Sequence, residues 1–126
     1  MEVFINVVGQ KLKIATNCRT FVEGSNNFIK LTFILSDEWS GLEKKAQFIQ
    51  DGTAYDAFLD GNNSVYLPAR IHDGRCELIL FGMSGVTTAI TDGLILNIKG
   101  TNYTGEGKDV SLVMATIEEM KEYLNI

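Results

Sequence analysis

The run KAQFIQDGTAYDAFLDGNNSVYL, residues 45–67, decides the fold class. It holds three strand-like segments, Lys45 to Ile49, Thr53 to Leu59 and Ser64 to Leu67, separated by Asp51-Gly52 and Asp60-Gly61. Asp-Gly pairs take the positive φ of tight hairpin turns at little cost, so the segments read as short strands joined by turns. Pro68, the single proline, closes the third segment because it has no N–H to donate to a ladder.

The same period continues on both sides. Val3, Ile5 and Val7 alternate with Glu2, Phe4 and Asn6, and Leu12 with Ile14 resume the alternation after Gly9-Gln10, which predicts a hairpin with a two-residue turn. A turn-rich stretch, Glu23 to Asn27, precedes an apolar strand from Phe28 to Leu35. Asp37 to Leu42 breaks the alternation and fits a helical or 3₁₀ turn. Downstream, Asp73-Gly74 opens a strand through Phe81, and Thr87 to Ile90 and Leu94 to Lys99 complete the set. Seven to nine short strands at this spacing predict a mostly β fold, an antiparallel β-sandwich or flattened barrel over residues 1–104.

The C-terminal segment differs in kind. After a connector at 105–110, residues 111–126 predict an α-helix: Ser111 to Leu124 contains no Gly or Pro, and Val113, Ile117, Met120 and Leu124 recur at spacings of four, three and four. Glu118, Glu119, Lys121 and Glu122 flank that narrow apolar seam. Two heptads do not hold a coiled coil alone, so the seam packs either on the chain's own sheet or between subunits around a threefold axis. The second arrangement makes Val113, Ile117, Met120 and Leu124 interface residues of a homotrimer.

With 126 residues, 45% hydrophobic and 21% charged, the chain supports one core and one domain. Eleven basic against sixteen acidic residues give a net charge of −5 and predict no nucleic-acid partner, since phosphate sites need clustered Lys and Arg and the adjacent pair Lys44-Lys45 follows Glu43. The start, MEVFINVVGQKLKI, has no basic segment followed by a long apolar run, and no stretch approaches the roughly 18 apolar residues of a membrane span. The expectation is a chain that stays in the cytosol, or leaves it without a cleaved signal, and has no membrane partner. Cys18 and Cys76 are 58 residues apart and form neither a zinc spacing nor a C-x-x-C motif, so both read as small buried or half-buried side chains.

Motifs for chemistry fail one by one, and no enzyme, cofactor or metal is expected. Gly82-Met83-Ser84-Gly85-Val86 approaches a nucleophile elbow but lacks its final glycine, and His72, the single histidine, reads as a turn-edge residue. Gly105-Glu106-Gly107-Lys108 lacks the first glycine of a phosphate loop, where Asn102 stands, and carries Asp109 at the Ser or Thr position. Asp60, Asn62 and Ser64 alternate like calcium ligands without a closing bidentate Glu, and Asp56 with Asp60 is poorly spaced for glycoside hydrolysis. Tyr55, Tyr66, Tyr103 and Trp39 are candidates for a sugar-stacking platform, although most aromatics of such a domain belong to its core.

The most distinctive stretch is Phe33-Ile34-Leu35-Ser36-Asp37-Glu38-Trp39-Ser40-Gly41-Leu42-Glu43-Lys44-Lys45-Ala46-Gln47-Phe48, in which the lone Trp sits on a turn between two strands and is expected to plug the end of the core against Phe33 and Phe48. This pattern, F-x-x-S-x-E-W-x-G-L-x-K-x-A-x-F, resembles the N-terminal domain of phage baseplate upper proteins and related tail-fibre attachment proteins of Gram-positive hosts. Val65-Tyr66-Leu67-Pro68, Leu78 to Gly82 and Thr87 to Thr91 resemble that family's later strands in the same order, so the likeness spans roughly Val3 to Tyr103. It implies a virion structural protein that anchors a host-recognition fibre or baseplate component through protein–protein contacts, with itself and other virion proteins as partners, assembled in the host cytoplasm. Family members usually run on into a proline-containing linker and a stalk, where this chain has the segment 111–126. Alternative classes are a head-fibre or capsid decoration protein, a free-standing phage protein that binds and inhibits a host protein, and a carbohydrate-binding module.

Overall fold

The computed structural model of the chain describes residues 1–16, 20–24 and 26–100. Cys18, Tyr103, the connector 105–110 and the segment 111–126 with Val113, Ile117, Met120 and Leu124 lie outside the described residues. Ten strands are described: β1 (Glu2–Val8), β2 (Lys11–Ile14), β3 (Thr20–Val22), β4 (Lys30–Leu35), β5 (Glu43–Gln50), β6 (Thr53–Phe58), β7 (Ser64–Tyr66), β8 (Gly74–Ser84), β9 (Thr87–Ile90) and β10 (Leu94–Lys99). A 3₁₀ turn at Asp37–Trp39 joins β4 to β5.

These strands form two sheets. The first has the order β2-β1-β4-β7; the second has the order β3-β10-β8-β5-β6, with β9 paired to β8 beyond the end of β10. The expected antiparallel arrangement is corrected in both: β1 runs parallel to β4, with Val3 beside Leu31 and Ile5 beside Phe33, and β10 runs parallel to β3. The physical reason lies in the crossing between β2 and β4. The chain leaves the first sheet after Ile14, contributes β3 to the second, and returns to place β4 against the free edge of β1. Because β3 is three residues long with only Phe21 buried, its alternation is too short to be read as a strand beforehand.

Alternation delivers one core from both sheets. Val3, Ile5, Val7, Ile14, Leu31 and Phe33 come from the first, and Phe21, Ala46, Phe48, Cys76, Leu78, Leu80, Leu96 and Ile98 from the second. The break between β9 and β10 is bridged by Thr91. Its buried hydroxyl accepts from the Leu80 N–H at 2.9 Å while its own N–H donates to the Leu80 carbonyl at 3.1 Å. The next residue, Asp92, donates its N–H to the Gln10 carbonyl at 2.7 Å and so ties this edge to the β1–β2 turn of the other sheet.

Candidate interaction surface

Trp39 is fixed by three neighbours. Its indole is 1% exposed, its Nε1 donates to the Gly9 carbonyl at 2.8 Å, and its ring lies against Gly82 of β8 and the half-buried Leu42. The turn before it is held by Ser36, whose N–H donates to the Val7 carbonyl and whose hydroxyl donates to Glu38 Oε1 at 3.0 Å. Gly41 takes φ +79°, which no β-branched residue tolerates, and so aims β5 back along β8. Phe33, Ala46 and Phe48 are buried, and Lys44 Nζ donates to the Leu42 carbonyl at 2.9 Å. Each residue of the Phe33–Phe48 pattern thus has a local structural role. The pattern builds the closed end of the core, and a binding surface must be sought elsewhere.

The residues tested for chemistry are dispersed. Ser84 ends β8 while His72 precedes its start, a separation of about 30 Å at the rise of a strand. His72 is exposed; its Nε2 contacts Asp51 Oδ2 at 2.7 Å and its Nδ1 lies 2.8 Å from the Asp73 carbonyl. That backbone contact, followed by the attraction of Asp51, raises its pKa above the ordinary histidine value. Cys76 is buried, and desolvation pushes its thiol up to about 11. Among the described residues, no three His, Cys, Asp or Glu side chains gather to hold a metal ion, and no helix is long and apolar enough to cross a membrane.

The acidic candidates are likewise separate. Asp60 Oδ1 accepts from the N–H groups of Asn62 and Ser64 at 2.9 and 3.0 Å, closing the loop before β7. Asp56 stands on the outer side of β6, where hydrogen bonding from Gln47, then Lys45, holds its carboxyl below the usual carboxylate range. The aromatic candidates do not assemble: Trp39 is in the core, Tyr55 packs against it, and Tyr66 is exposed on the outer face of the first sheet.

What the topology does assemble is an apolar outer face on the second sheet, invisible as a unit in the sequence. Residues facing away from the core on β5, β6, β8, β9 and β10 include Ile49, Phe58, Ile79, Phe81, Met83, Ile90 and Ile95. Phe58 is 61% exposed and Ile90 44%. The polar groups in the middle of this face are already engaged: Lys45 Nζ pairs with Asp56 at 3.2 Å and sits 5.1 Å from the centre of the Phe81 ring. No protein-family model matches the chain, and no curated protein matches its sequence.

Proposed function

We propose that this chain is a protein-binding module, a structural adaptor of a phage virion that anchors a fibre or baseplate component through contacts with itself and with other virion proteins. The observation that supports this reading is the exposed apolar face of the second sheet. Single exposed apolar residues are ordinary, but strand register clusters Phe58, Phe81, Met83 and Ile90 at one end of this face beside the paired Lys45 and Asp56, a composition that suits a surface another protein covers. The resemblance of the Phe33–Phe48 pattern to the baseplate upper protein family supplies the virion context. Trimerisation comes from the seam of Val113, Ile117, Met120 and Leu124.

Light scattering on the full chain and on a chain ending at Asp109 tests this. The expected result is a solution mass that is a multiple of three chains and falls threefold on truncation, with the far-ultraviolet β signal retained. A full-length chain that is monomeric at high micromolar concentration overturns the self-associating adaptor.

A further inference from the structure

Strand β6 is an edge of the second sheet, and its register against β5 fixes which of its backbone groups are used. The two-residue turn Asp51-Gly52 makes Gln50 and Thr53 a hydrogen-bonded pair, and every second pair repeats the pattern: Phe48 with Tyr55, Ala46 with Ala57, and then Lys44 with Leu59, whose N–H donates to the Lys44 carbonyl at 3.0 Å. The N–H and C=O groups of Ala54, Asp56 and Phe58 therefore point away from β5, and among the described residues they have no partner. A row of such groups is a template for another strand.

The other edges carry features that keep strands apart. β2 presents Lys11 and Lys13, both exposed; β3 and β7 are three residues long; and β9 meets the β1–β2 turn, where Gln10 Nε2 donates to the Ile90 carbonyl at 3.1 Å. β6 is six residues long and contains neither Lys nor Pro. Its single charge, Asp56, is turned off the edge: Oδ1 accepts from Gln47 Nε2 at 2.9 Å and Oδ2 from Lys45 Nζ at 3.2 Å, both on β5. About a two-fold axis normal to the sheet at Asp56, an antiparallel second β6 uses all three outward residues. Ala54 meets Phe58 of the second copy, Asp56 meets Asp56, and Phe58 meets Ala54, each pair exchanging two backbone hydrogen bonds. Moving the axis by one residue leaves the groups of Ala54 or of Phe58 unpaired. The axis at Asp56 also sets each large, exposed Phe58 ring opposite the small Ala54, and the two carboxylates, which would repel across the pair, each lie against their own Lys45 and Gln47.

We infer that β6 pairs with β6 of a second copy of this chain, antiparallel about a two-fold axis at Asp56, so that the two second sheets join into one. A two-fold contact is isologous, and one edge serves both partners. The inference goes beyond the adaptor reading and uses neither the apolar outer face nor the 111–124 seam. An edge contact covers less than the roughly 800 Å² per partner of a standard interface, so pairing rises with concentration.

Residue-resolved hydrogen exchange of the full chain reads this edge directly. The amides of Ala54, Asp56 and Phe58 are expected to exchange about tenfold more slowly at high than at low micromolar concentration, while those of Tyr55 and Ala57, bonded to β5, stay slow at both. Ala54→Pro removes one outward N–H and no bond to β5. It is expected to abolish the concentration dependence at Asp56 and Phe58 and to halve the solution mass with circular dichroism unchanged; the wild-type exchange decides the matter even where that variant fails to fold. Protection of the three amides at every concentration means that another part of the chain covers the edge, and fast exchange at every concentration means that the edge is open to a strand of a different protein. Either result overturns the inference, as does protection of only two of the three, which moves the axis off Asp56. Its failure and that of the adaptor reading are distinguishable: a chain whose mass falls threefold on truncation after Asp109 but whose edge amides never slow keeps the adaptor and loses the β6 pairing.

Discussion

The six-membered ring of Trp39 occupies the space beside Gly82 where a β-carbon would stand: Trp39 Cζ3 lies 2.8 Å from that position and Cε3 2.9 Å. Gly82 has no positive φ, so its side chain is excluded by packing alone. Leu42 Cδ1 closes the same space at 2.8 Å. The indole cannot retreat, because its Nε1 is tethered to Gly9 and its faces are enclosed by core. Gly82→Ala should therefore destabilise by about 1–3 kcal/mol, the usual cost of overpacking, and Trp39→Ala by about 3–5 kcal/mol. Combined, the two should cost less than their sum, since removing the ring makes room for the methyl group. Denaturant midpoints of the four proteins give the coupling, and strict additivity would show that the ring does not set the requirement for glycine.

Gln50 predicts a second large effect. Its buried side-chain amide clasps the backbone of His72 from both sides: Nε2 donates to the His72 carbonyl at 2.8 Å and Oε1 accepts the His72 N–H at 2.9 Å. One side chain thus does for the loop before β8 what a ladder partner does inside a sheet. Gln50→Ala strands both groups and should cost about 1–3 kcal/mol. Gln50→Glu keeps the shape but loses the donor and buries a carboxylate, so it should be no better than alanine at pH 7. If Gln50→Glu unfolds at the same urea concentration as the parent, the clasp contributes nothing.

His72 makes stability depend on pH in a stated direction. Folding raises its pKa, first through the Asp73 carbonyl and then through Asp51, so the native state holds the proton more tightly than the unfolded chain does. That contribution is fully present below the unfolded value of about 6.5 and is lost as pH rises through the folded value. Asp56 has the opposite sign: its lowered pKa stabilises above the ordinary carboxylate range and is lost as pH falls through the folded value, so the two windows do not overlap. Urea midpoints should fall from pH 6 to pH 8.5, and His72→Gln should flatten that slope. A slope unchanged in the mutant assigns it to another group.

Cys76 should resist alkylation in the native protein. Its side chain faces the core, and with the thiol pushed up to about 11 only about one molecule in a thousand carries the thiolate at pH 8. Peptide mapping after iodoacetamide treatment should show Cys76 modified only when denaturant is present. Modification in native buffer at the rate of a free thiol would mean that β8 opens locally.

Much of the architecture is legible in the chain because β structure writes its burial with period two. Val3, Ile5 and Val7, or Cys76, Leu78 and Leu80, announce a strand and its inner face without reference to any neighbour, and Asp51-Gly52 announces a turn through the φ of 51° and 77° that those residues adopt. Trp39 was likewise readable as the plug of the core, since a lone indole on a turn between apolar strands has nowhere else to bury its ring. Strand order was not readable. The alternation of β1 and β4 is the same whether they pair parallel or antiparallel; they are parallel because β4 enters on the far edge of β1 at the end of the sheet where β2 leaves it. The outer face escaped for the same reason. Phe58, Phe81 and Ile90 are 32 residues apart at their extremes and each is an ordinary half-exposed position on its own strand; hydrogen-bond register sets them in one row across β6, β5, β8 and β9. Local periodicity determined which residues leave water, and register between distant strands decided what the remaining surface presents.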